Sequence, residues 1–173
     1  MDELLKTKFD GMHYNLQCLI FSLRASEHLY IKLANTSGIE KKLFFINYLL
    51  IYSLESAFLR VNILMKKGEK YSFNKILNII ENNPEVEIDV TEIRDTLDGI
   101  FEHHESLIEF IKVIRNKRIA HYDNYNIVQN FRFKEYRKLV NSLIDLFTYL
   151  CCLFDYEINF EEDQFIASME NSI

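Results

Sequence analysis

A chain of 173 residues is long enough for one domain with a substantial core. Its residues are 49% hydrophobic and 14% aromatic, with one proline and four glycines; this excludes a disordered chain and disfavours a turn-rich sandwich or doubly wound sheet, leaving an all-helical fold as the expectation. The net charge of −6 argues against nucleic acid as a bulk electrostatic partner, but residues 155–173 hold six acids and no Lys or Arg, so residues 1–154 are neutral overall.

The N-terminal "MDELLKTKFD" alternates charge and has no apolar run, so it does not read as a signal peptide. A long first helix follows. Phe9, Met12, Leu16, Leu19, Leu23, Ser26, Tyr30 and Leu33 recur at steps of three and four, which puts them on one face. "NTSG" (35–38) ends it, with Gly38 as the stop.

The second helix is expected over 40–67, with the stripe Leu43, Ile46, Leu50, Leu54, Ala57, Val61 and Leu64. Asn47, Glu55, Arg60 and Asn62 interrupt its apolar run. It therefore reads as a core helix, as does 139–154, and no membrane is expected as a partner. Glu55 beside the stripe is either a buried polar group bonded to another helix or a group reaching the basic cluster described below.

A short helix over about 72–82 takes Ser72 as its N-cap, and the only proline lies in the loop after it. A fourth helix starts near Asp89 or Thr91. Its stripe is Leu97, Ile100, His104, Leu107, Ile111 and Ile114, and the same register continues onto Arg118 and His121. "HYDNYN" is a turn. The fifth helix, about 128–156, carries Phe133, Tyr136, Val140, Leu143, Phe147, Leu150 and Phe154. The expectation is an up-and-down bundle of four long helices and one short one over residues 1–156, followed by an acidic tail, 157–173.

Three cysteines, Cys18, Cys151 and Cys152, are too few and oddly numbered for a disulfide framework; they read as buried, reduced thiols of a cytoplasmic protein. "EHHE" (102–105) sets Glu102, His103, His104 and Glu105 in a row. Consecutive helical residues point roughly 100° apart, a poor arrangement for chelating one ion. No metal or other cofactor is expected. The 24 Phe and Tyr fall mostly on helical stripes and read as core.

Residues 114–126, "IRNKRIAHYDNYN", stand apart. With Lys112, residues 112–121 carry Arg115, Lys117, Arg118 and His121 and no acid. Cations at a helix C-terminus suit its dipole, which is the structural explanation. The chemical explanation is RNA cleavage. A histidine near neutral pKa can take the 2′-hydroxyl proton or protonate the leaving oxygen. An arginine can clamp the phosphate and stabilise the charge that develops on it. Asn116 can hold a phosphate oxygen or orient the histidine, and Lys112, Lys117 and Arg118 add backbone attraction. On one straight helix Arg115 and His121 lie roughly 120° apart and about 9 Å along the axis. Either the helix ends near His121, or a second copy approaches across a two-fold axis.

"RNKRIAHYD" resembles the signature of the HEPN superfamily. It is most similar to the AbiU-type abortive-infection branch, whose motif reads R-N-K-x-x-A-H-x-D; Arg115, Asn116, Lys117, Ala120, His121 and Asp123 fill its fixed positions. The resemblance spans most of residues 10–155. It implies a homodimer with two motifs lining one cleft. It also implies a metal-independent endoribonuclease that leaves a 2′,3′-cyclic phosphate, and a toxin or antiphage role with an antitoxin or other defence-system partner. On that resemblance Arg115 and His121 are catalytic, Asn116 supports them and Asp123 orients His121. Antitoxin-modified relatives often carry Tyr two places after the His. Here that place is Asp123, with Tyr122 and Tyr125 nearby, so that form of regulation does not carry over. Some members of the superfamily keep the fold without cleaving RNA, which leaves a non-catalytic module binding RNA, nucleotide or protein as the alternative.

Overall fold

A helical stripe of apolar side chains leaves water by facing another stripe. The computed structural model describes residues 1–35, 40–114, 116 and 131–160, with backbone alone for 40–43. Among these residues are six helices: α1 (Glu3–Asn35), α2 (Glu40–Met65), α3 (Phe73–Glu81), α4 (Thr91–His103), α5 (Glu105–Ile114) and α6 (Phe133–Leu153). No strand occurs among the described residues, in keeping with the expected all-helical class.

The hairpin of α1 and α2 is the most extensive helix pairing. Its buried face joins Phe9, Met12, Leu16, Leu19 and Leu23 to Ile46, Leu50, Leu54, Ala57, Val61 and Leu64, as their spacing predicts. Each of these side chains other than Ala57 contributes roughly 1.5–3 kcal/mol through burial. Two polar contacts fix the register. The Ser22 hydroxyl donates to Ser56 Oγ at 3.0 Å, and Arg60 Nη1 donates to Asn15 Oδ1 at 2.7 Å. Gly11 lets the ring of Tyr71 lie against α1; a Cβ there would collide with that ring and displace it. By length and composition Phe44–Met65 is apolar enough to cross a membrane, but one face of this helix is core.

α6 closes the bundle with Tyr136, Val140, Leu143, Phe147 and Leu150, all buried. Phe9 is the junction of α1 and α6, with ring centroids 5.7 Å from Phe147, 5.5 Å from Phe154 and 5.3 Å from Tyr156. At α3 the expected cap is present, with Lys75 N donating to Ser72 Oγ at 3.2 Å.

Three expectations change. The single fourth helix is two helices. Backbone angles leave the helical range at His104 (φ −110°, ψ 16°), although its N–H still reaches Ile100 O at 3.2 Å. The His104 ring stays buried on the stripe while the axis turns, so α4 packs on α6 and α5 on α2. Secondly, packing does not stop at residue 156. Asp155 adopts φ 50°, a left-handed turn that aspartate tolerates, and the chain doubles back along α1. Tyr156 Oη donates to Asp10 at 2.7 Å, the Phe160 ring lies 5.1 Å from His13, and Ile158 packs on the core. Residues 161–173, most of the expected tail, lie outside the described residues. Thirdly, the cysteines separate. Cys151 is buried, its thiol pushed up to about 12 by burial and the neighbouring Cys152, whereas Cys152 is exposed; all three are free. The expected stop at Gly38 lies outside the described residues.

Candidate functional site

The last turn of α5 sorts its side chains by face. Ile111 and Ile114 are buried and fix the helix against the core. Lys112 is exposed and pairs with Glu109 one turn earlier. Asn116, two positions past the last buried residue, is exposed. Of the expected site residues the structure thus places Lys112 and Asn116. Arg115, Lys117, Arg118, His121, Tyr122 and Asp123 lie outside the described residues.

Asn116 borders a groove of about 610 Å³ between the C-terminal end of α2 and the α4–α5 arm. α2 contributes Asn62 and Met65, Lys66 follows it, and the arm contributes Phe101, Glu102, Glu105, Ile108, Glu109 and Lys112. Met65, Phe101 and Ile108 form an apolar floor. The volume lies in the range that holds a nucleotide-sized ligand. The kink at His104 shapes this groove, because it turns α5 towards α2.

The rim holds three carboxylates and two ammonium groups. Lys66 pairs with Glu69 at 3.1 Å and Lys112 with Glu109. Both pairs are exposed, so each is worth less than about 1 kcal/mol and exchanges readily for another anion, such as a phosphate. The acidic side of this rim was not drawn from the sequence, although the spacing of Glu102, Glu105 and Glu109 carried the signal: steps of three and four put them on one face.

Around the kink, the "EHHE" residues diverge. Glu102 and Glu105 line the groove, His103 is exposed and His104 is buried. Burial holds the His104 imidazole below its ordinary pKa, helped by His103 and Lys138 and opposed by Glu135. Among the described residues no three His, Cys, Asp or Glu side chains are placed to share a metal ion. Glu55 is half-buried on α2.

No protein-family model matches the chain, and no curated protein or solved structure is detectably similar to it.

Proposed function

We propose that this chain is a HEPN-type endoribonuclease of the AbiU-like kind, working in the cytoplasm as a toxin or antiphage module under the control of a partner. The observation that carries the reading is the sequence Arg115–Asp123, which follows α5 in the chain, with Asn116 bordering the groove. His121 takes the 2′-hydroxyl proton of a bound RNA. The 2′-oxygen attacks phosphorus, the bond to the 5′-oxygen breaks, that oxygen takes the proton a His121 imidazolium gives up, and a 2′,3′-cyclic phosphate remains. Arg115 neutralises the charge on the phosphorane. Asn116 holds a phosphate oxygen or His121, and Asp123 orients His121, with Tyr122 beside it. Lys112, Lys117 and Arg118 draw in the RNA backbone. Two copies form one cleft, and no metal takes part. Cleavage that persists in EDTA and vanishes in His121→Ala is the expected result; activity surviving that substitution removes the reading.

A specific observation favours a second reading. Glu102, Glu105 and Glu109 line the same groove, and carboxylates repel phosphate. A non-catalytic module that binds a protein through this groove accommodates them more readily, whereas RNA or nucleotide bound by such a module meets the same repulsion. The protein-binding module predicts retention without turnover, unchanged by His121→Ala.

A further inference from the structure

We infer that the hollow between α4 and α6 binds a linear aliphatic polyamine. The hollow holds about 430 Å³, a size that suits a small ligand, and it shares no residue with the groove beside Asn116. Its floor is aliphatic: Ile93 and Leu146 are buried and Ile100 is half-buried. Glu92 stands on the α4 wall and Asp145 on the α6 wall, both exposed.

The polar atoms select the charge of the occupant. Thr96 gives its hydroxyl proton to Glu92 O at 2.9 Å, and Ser142 gives its own to Lys138 O at 3.1 Å, so both offer a ligand lone pairs alone. Among the lining side chains only the Tyr149 hydroxyl still has a proton to give. No Lys, Arg or His lines the hollow, so an anion meets two carboxylates and no cation. Among the described residues neither carboxylate is in an ion pair. The cations nearest in sequence are engaged elsewhere: Arg94 with Glu81 at 2.8 Å and Lys138 with Glu135 at 3.4 Å.

The layout selects the kind of cation. One carboxylate on each wall with an aliphatic floor between them matches a chain that has an ammonium group at each end and methylenes in the middle. The Tyr149 ring, 49% exposed at the rim, adds a face over which an ammonium group can lie. A ligand with one ammonium group leaves one carboxylate unmet. A metal ion lacks a third ligand, since no three His, Cys, Asp or Glu side chains among the described residues are placed to share one. The site depends on neither reading of the groove beside Asn116.

Equilibrium dialysis of labelled spermidine against the full chain at low salt tests the site. Wild type is expected to bind one spermidine saturably. Glu92→Gln/Asp145→Asn is expected to bind it on the order of 10-fold more weakly, with helical circular dichroism unchanged. Tyr149→Ala should weaken binding about threefold, and it decides the matter if the double variant does not fold. Glu85→Gln/Glu87→Gln removes the same charge from the exposed loop before α4 and should bind as wild type does. Butylamine, with one ammonium group, should compete about tenfold less well than unlabelled spermidine. Four results overturn the inference: no saturable binding by wild type, full affinity in Glu92→Gln/Asp145→Asn or in Tyr149→Ala, equal weakening in both double variants, or butylamine competing as well as spermidine.

Discussion

The α1–α2 hairpin and the α4–α5 arm are both built from stripes at steps of three and four, yet they behave differently. In the hairpin the core stripes stay apolar almost end to end, and the helices run 33 and 26 residues without a break. In the arm the stripe admits His104 at its middle and, in sequence, turns to Arg118 and His121 at its end. At His104 the helix kinks, and α5 turns towards α2 and borders the groove. Ser26, the polar member of the α1 stripe, donates to Ser22 O at 2.7 Å within its own helix and the helix runs on, whereas at His104 the backbone leaves the helical range and the arm turns.

The difference can be broken most strongly at Phe9. Its ring meets three aromatic rings of α6 and the returning chain, so Phe9→Ala is expected to cost about 3–5 kcal/mol in chemical denaturation. The half-buried Ile108 on the groove floor should cost clearly less for the same truncation. Equal losses at the two sites would erase the contrast.

A smaller effect is expected at Arg60→Ala. It leaves the 4%-exposed Asn15 without its donor, at about 1–3 kcal/mol. Asn15→Leu together with Arg60→Ala should recover part of that loss, because the stranded acceptor is gone. No recovery would mean that the pair does not act through its hydrogen bond.

In the arm, pH gives a further handle. His104 has a folded pKa below its ordinary 6.5. The unfolded chain therefore binds the proton more readily. Stability from this residue is present above 6.5 and is lost as pH falls from 6.5 towards the lowered folded value. Urea midpoints measured across that window should fall with pH in wild type and fall less in His104→Phe. An unchanged slope in the variant would place the titrating group elsewhere.

Much of this fold can be read directly from residue spacing. The stripes of α1, α2 and α6 are buried nearly as their steps of three and four require, and Ser72 caps α3 as its side chain suggests. The kink could not be read, because the register of the stripe passes through His104 unbroken while the axis turns. The return of Tyr156–Phe160 escaped as well. Its acids look like a solvated tail, whereas Tyr156, Ile158 and Phe160 between them are what pack. For the site, Lys112 is exposed on the last turn of α5 and Asn116 borders the groove, while the rest of the basic segment lies outside the described residues. The carboxylates lining that groove come from α4 and α5, and only the fold brings those against α2.

The groove rim supplies the smallest stability effect and a sharper functional one. Glu109→Gln breaks an exposed pair and should change stability by less than about 1 kcal/mol. Glu102→Gln/Glu105→Gln/Glu109→Gln should nevertheless strengthen RNA association at low salt, since three repelling charges leave the groove. Unchanged affinity in a filter-binding titration would mean that RNA does not pass through it.

The most direct measurement is cleavage of a mixed RNA pool in EDTA by wild type, Arg115→Ala and His121→Ala. The account predicts that wild type alone cuts and that its products end in 2′,3′-cyclic phosphate. Equal cleavage by all three proteins, or none by wild type, would contradict it.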